Sequence, residues 1–191
     1  MNLQRTFLGF LTAMSLFSCA RDHEVDLKAK REQLETEWNA CVAAAKPEPC
    51  LAWGRNLMGV EPVSLAVGEA QKLRIDAIRS RFPESEEILA IAGAAEVRLG
   101  GMYAKSETDV VKGVDLIQEG LDSMMAGIRR HPGSKVLRIY YANTLSYLPA
   151  DFKKGSEASD TIASLRRNFK LNAEEEALVA AAESRLGGKK P

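Results

Sequence analysis

The chain has 191 residues, 26 Lys plus Arg against 26 Asp plus Glu, and 46% hydrophobic residues, the make-up of one ordinary globular domain, which excludes a disordered tail. Net charge zero and a pI of 6.8 leave no global basic excess of the kind nucleic-acid binding needs. Two histidines and three cysteines leave few ligands for a transition-metal site.

The N-terminus carries one cation, Arg5, then 11 residues of apolar stretch from Phe7 to Phe17. As a helix that stretch spans about 16 Å, roughly half of a bilayer's hydrocarbon core, so it reads as a signal peptide rather than a permanent transmembrane helix. Its end, Leu16-Phe17-Ser18-Cys19, resembles a bacterial lipobox. The resemblance implies removal of residues 1–18, diacylation of Cys19, and attachment to a membrane through two or three acyl chains, because a single chain anchors only marginally. Ala20 follows the cysteine, which resembles the outer-membrane sorting class and implies a cell-envelope protein facing the periplasm. The mature chain would have 25 basic and 26 acidic side chains. Residues 19–24 are expected to be a lipidated tether, 25–186 a single all-α domain, and 187–191 a frayed tail.

With Cys19 acylated, Cys41 and Cys50 are the only internal pair that an oxidising compartment can join. Leu27, Leu34, Trp38, Cys41, Val42 and Ala45 recur at helical steps over 25–45, Lys46-Pro47-Glu48-Pro49 breaks the run, and Pro49 can open a second helix to Met58. A disulfide across this hairpin is expected. Neither a CxxC spacing nor a nearby His offers the pair redox or metal chemistry.

Ser64 can cap a helix whose apolar positions are Leu65, Ala66, Ala70, Leu73, Ala77 and Phe82, closed by Pro83. From Glu84 to Leu99, positions Ile88, Ala92, Ala95 and Leu99 share a face, and Gly100-Gly101 reads as a C-terminal stop. Ser106 or Thr108 should start the next helix, in which Val110, Val114, Ile117, Leu121, Met124 and Ile128 alternate at four and three before His131-Pro132. Ser134 opens a helix to Leu148, another runs over about 156–169, and Asn172 with Glu175 has capping-box spacing for a last helix to Leu186. No β-branched run alternates over a strand's length. The fold class is therefore all-α, about seven or eight antiparallel helices forming a tetratricopeptide-repeat-like array or an irregular bundle.

The repeat reading rests on residues 86–132, which resemble a tetratricopeptide repeat: Leu89 and Gly93 match its first helix, and Gly120, Met124, Gly127 and Pro132 match its second. The interval from Gly93 to Gly120 is 27 residues, where the family uses about 12. The excess is expected to lengthen the hairpin loop. Glu96 stands where the family prefers an aromatic. Tyr141, Ala142 and Leu145 make a partial second copy.

No residue is expected to be catalytic, to bind a cofactor or to hold a metal. Asp22, His23, Glu24 and Asp26 read as a solvated tether, His131 as a cation at a helix end, and Glu84-Ser85 as helix-start chemistry rather than the Glu-Ser of lytic transglycosylases. Charge is more informative. Residues 83–128 hold nine acids and three bases, and residues 129–170 nine bases and three acids. Neighbouring helices could satisfy this internally. Alternatively Arg129, Arg130, Lys135, Arg138, Lys153 and Lys154 surround Tyr140, Tyr141, Tyr147 and Phe152 in a partner-binding surface. The expected function is an anchored scaffold or assembly factor that binds an envelope protein; a transporter accessory carrying a small-molecule ligand is the alternative, and a cell-wall hydrolase a distant third. Similarity of architecture to envelope lipoproteins does not choose among them.

Overall fold

The structure is a computed structural model that describes residues 28–106 and 109–188. The signal peptide, the lipobox through Cys19, the tether with Asp22, His23, Glu24 and Asp26, Thr108, and the last three residues lie outside the described residues. Among the described residues the chain is all-helical with no strand. It divides into two compact units, with the boundary between Glu61 and Pro62.

The first unit holds α1, helical over 28–43, and α2, Glu48–Met58. Pro49 occupies the first turn of α2, where a missing N–H costs nothing. The hairpin is small, so it closes around few side chains: Leu34, Cys41, Cys50, Trp53, Leu57 and Val60 are buried. Trp38 packs on Trp53 with ring centroids 5.0 Å apart and planes tilted by 52°. Asn56 Nδ2 and Gln33 Nε2 both donate to Glu37 Oε1, at 2.7 and 2.8 Å. The Cys41 and Cys50 sulfurs stand 2.10 Å apart as a disulfide.

The second unit contains α3 (Leu65–Arg81), α4 (Glu86–Ser106), α5 (Val110–Arg130), α6 (Lys135–Tyr147), a 3-10 turn (Ala150–Phe152), α7 (Gly155–Asn168) and α8 (Ala173–Gly187). Its local boundaries follow expected caps: Ser64 accepts from Val67 N, Ser134 from Leu137 N, and Asn172 forms a capping box with Glu175. The antiparallel pair α4 and α5 lies in the middle, α3 packs on α4, and α6 packs on both α4 and α5 while carrying α7 and α8. The main core joins α4, α5 and α6 through Leu89, Val97, Ile117, Leu121, Met124, Leu137 and Leu145; a second joins α6, α7 and α8 through Ile139, Ile162, Leu165 and Val179.

Three expectations fail here. First, Gly100-Gly101 does not stop a helix: α4 runs through both glycines to Ser106, whose hydroxyl turns back to Tyr103 O. Second, α5 starts at Val110 with Asp109 as its cap, accepting from Lys112 N at 2.9 Å, so Ser106 has no capping role. The extra residues between Gly93 and Gly120 therefore lengthen two helices and leave a short connection. Third, α3 turns Gly68, Ile75 and Ile78 inward, whereas Ala66, Ala70, Leu73 and Ala77 face outward.

The glycines explain the long hairpin. Gly93 and Gly100 on α4, and Gly113 and Gly120 on α5, are seven residues apart, two helical turns, and meet as reciprocal pairs. A Cβ on Gly100 would lie 2.5 Å from Gly113 O, and one on Gly120 would lie 2.5 Å from Gly93 O. No glycine among the described residues has positive φ, so close approach is what these glycines supply. Each costs about 1 kcal/mol of helix propensity relative to Ala, offset by the dispersion contacts of two backbones in direct apposition.

Candidate functional site

The chain turns at His131-Pro132-Gly133 between α5 and α6, and Arg138 lies in the first turn of α6. A cation there sits at the unfavourable end of the helix dipole. One guanidinium N–H compensates by donating to Pro132 O at 2.8 Å, and the guanidinium carbon lies 5.9 Å from the centroid of the Phe169 ring. Arg138 Nε is buried and has no hydrogen-bond partner. The side chain lines a groove between α6 and α7 of about 360 Å³, together with Ser156, Glu157, Asp160, Thr161 and Ser164.

The α7 side of the groove is partly committed. Glu157 accepts from Tyr141 Oη and, at 2.7 Å, from Lys154 Nζ. The Lys154 ammonium, then the Tyr141 hydroxyl, hold its carboxyl below the usual carboxylate value. Burial, reinforced by Glu157, pushes the Tyr141 phenol well above its ordinary value. Thr161 donates to Glu157 O at 2.8 Å, and Ser164 accepts from Asn168 Nδ2 at 3.1 Å. Asp160 and Ser156 stand exposed on the rim. The site thus offers an arginine side chain on one wall and an exposed carboxylate with a hydroxyl on the other.

The residues expected to form one partner surface are dispersed. Arg129 and Arg130 are exposed at the C-terminus of α5, where cations suit the dipole. Tyr141 is 3% exposed and belongs to the core. Tyr140 is half-buried against that core. Tyr147 ends α6, nine residues and about 13 Å of helix axis from Arg138, with the Arg185 guanidinium 4.0 Å over its exposed ring. Phe152 is half-buried, and Lys153 is exposed with φ 52°. Of these residues Tyr141 and Lys154 share a partner, the Glu157 carboxylate.

Flanking helices meet much of the charge segregation. Lys135 reaches Glu175 at 2.8 Å, and Arg166 reaches Glu176 and Glu183 at 2.6 and 2.8 Å, all on α8. On the acidic side, Glu96 is 6% exposed and faces Lys72 and Arg79 of α3 at 3.5 and 3.6 Å. Burial raises the Glu96 carboxyl despite these cations. His131, at the end of α5, lies 3.6 Å from Glu86 and 4.0 Å from Glu84.

Two features leave no mark in the spacing of residues along the chain. The cluster of Glu69, Tyr103 and Lys112, with Lys112 Nζ 2.6 Å from the Tyr103 hydroxyl and 3.3 Å from Glu69, joins α3, α4 and α5. The Arg138 groove draws on α6 and α7, and nothing in the spacing of Arg138 and Asp160 marks them as facing walls. Among the described residues no three His, Cys, Asp or Glu converge as a metal site, and no helix is long and apolar enough to cross a membrane. No protein-family model matches the chain, and no curated protein or solved structure matches it either.

Proposed function

We propose that this chain is a lipid-anchored scaffold of the bacterial cell envelope, a tetratricopeptide-like helical array held at the outer membrane through Cys19 and binding a segment of an envelope protein in the α6–α7 groove. The observation that carries the binding reading is the Arg138 side chain on one wall of a groove whose other rim bears Asp160. A peptide backbone offers carbonyl acceptors and N–H donors in alternation, so one extended segment can satisfy the guanidinium and the carboxylate together. The lipobox Leu16-Phe17-Ser18-Cys19 supports the anchor, and a Cys41–Cys50 bridge suits an oxidising compartment.

Crosslinking and affinity purification from membranes test the reading. An envelope protein should copurify with the native chain and be lost with Arg138→Glu. Cys19→Ser should release the body into the soluble fraction, and mass spectrometry of the native N-terminus should find a lipidated Cys19. The binding reading fails if no protein partner is recovered and charge reversal at Arg129, Arg130 and Arg138 changes nothing in cells.

The groove's volume also favours a second reading, because about 360 Å³ lies within the range of small-ligand pockets. A zwitterion of amino-acid size, its carboxylate toward Arg138 and its ammonium toward Asp160, would make the chain a transporter accessory. Native mass spectrometry separates the two, since only the ligand carrier retains a small molecule.

A further inference from the structure

His131 ends α5 and begins the turn to α6, and its ring stands between two carboxylates. Nδ1 lies 3.6 Å from Glu86 Oε1, and Nε2 lies 4.0 Å from Glu84 Oε2. Nε2 is buried and has no hydrogen-bond partner. A neutral imidazole carries one N–H and one lone pair, and a carboxylate only accepts, so a neutral ring suits one of the two and turns its lone pair toward the other. An imidazolium donates from both nitrogens and suits both. Neither distance is that of a closed hydrogen bond. The carboxylates have the freedom to close, with side chains 76% exposed at Glu84 and 41% at Glu86 against 20% for the ring.

The parts that this ring can tie together reach the groove. Glu84 stands in the connection from α3 to α4 and Glu86 is the first residue of α4, whereas His131 belongs to the turn between α5 and α6. The backbone holds that turn at both ends of His131, whose N–H donates to Gly127 O at 2.8 Å and whose carbonyl accepts from Ser134 N at 2.9 Å. Pro132, the next residue, supplies the carbonyl that accepts from the Arg138 guanidinium at 2.8 Å. Arg138 in turn lines the groove. We propose that His131 is a proton-operated clasp: charged, it draws Glu84 and Glu86 onto the α5–α6 turn and steadies the Pro132 carbonyl on which Arg138 rests; neutral, it lets go and loosens the arginine wall of the groove.

Histidine changes charge between about pH 5 and 8, so the clasp closes on the acid side of that range and opens as pH rises. The other charges around the turn are cations. Arg129 and Arg130, on α5 itself, are exposed and screened by solvent. On α6, Lys135 is paired with Glu175 and Arg138 is turned to Pro132 O. Among the described residues no carboxylate besides Glu84 and Glu86 comes within ion-pair distance of the ring. The clasp acts on the wall of the groove whatever the groove holds; only its consequence, binding that varies with pH, rests on the binding reading above.

NMR spectra of the full chain recorded from about pH 5.5 to 8 test it. The His131 ring, the Gly133 amide and the Arg138 Nε–H should move together with one midpoint. In a Glu84→Ala/Glu86→Ala chain the ring should still titrate, but most of the movement at Arg138 should be lost; in His131→Gln the Arg138 signal should not change across the range. The proposal is overturned if the Arg138 signal stays still while the parent ring titrates, if it moves equally without the two carboxylates, or if it moves equally in His131→Gln. No partner enters the measurement, so a failure of the binding reading leaves its outcome intact.

Discussion

Tyr141 combines a buried ring with a hydroxyl that donates to the Glu157 carboxylate, and the arrangement ties stability to pH at both ends of the scale. The phenol's folded value lies above the ordinary 10.0, so its contribution is complete below pH 10 and is lost as pH rises beyond it, where the unfolded tyrosine ionises first. The Glu157 carboxyl lies below the ordinary 4.5. Its contribution is present above that value and is lost as pH falls through it. Tyr141→Phe keeps the ring and removes the bond, so it should cost about 2 kcal/mol at neutral pH. It should also abolish most of the alkaline loss and shrink the acid one. Urea denaturation at about pH 3.5, 7 and 10.5 measures all three, and an unchanged alkaline limb would show that another group sets it. Glu96 has the opposite sign from Glu157: burial raises it, so its contribution is greatest at acid pH and declines as pH rises through its folded value.

The hairpin of α4 and α5 shows how one amino acid can have opposite effects at adjacent positions. Gly100 and Gly101 are both helical, yet a Cβ on Gly100 would meet Gly113 O at 2.5 Å, whereas one on Gly101 meets nothing within 4 Å. Gly101→Ala should therefore stabilise by about 0.5 to 1 kcal/mol, through helix propensity and reduced freedom of the unfolded chain. Gly100→Ala gains the same propensity but forces two backbones apart, at a cost of about 1 to 3 kcal/mol, and should leave the protein less stable overall. The two variants, compared by chemical denaturation, should move the midpoint in opposite directions. α3 carries the element-scale lesson further, since a helix apolar on two faces has no single amphipathic side to read.

At the scale of the whole molecule, both tryptophans, Trp38 and Trp53, lie in the first unit. Tryptophan fluorescence therefore reports that unit alone, while far-UV circular dichroism is dominated by the longer helices from Pro62 onward. The Cys41–Cys50 bridge closes a short loop, with a sequence separation of nine, and limiting the freedom of its unfolded state is worth about 2 to 3 kcal/mol. Reduction should shift the fluorescence transition to lower temperature and leave the dichroism transition in place. Coincident shifts in both probes would mean that the two units unfold as one.

What the amino-acid sequence determined by itself is what acts within a few residues. Ser64, Ser134 and Asn172 with Glu175 announce helix starts because each side chain reaches a backbone N–H only two or three residues ahead. Pro49 opens α2 for an equally local reason, its absent N–H, and the all-α class follows from the helical periodicity of apolar residues. The tertiary structure decided whatever depends on a distant neighbour. Gly100-Gly101 satisfies the local rule for a stop, but the Gly113 backbone fills the space beside it, and continuing the helix buries more than stopping would. Tyr141 belongs to the core although its spacing also suits a surface aromatic, because spacing along one helix cannot say which face α7 will cover. The groove was hidden for the same reason: Arg138 and Asp160 lie on different helices, and only the packing of α7 on α6 makes them opposite walls.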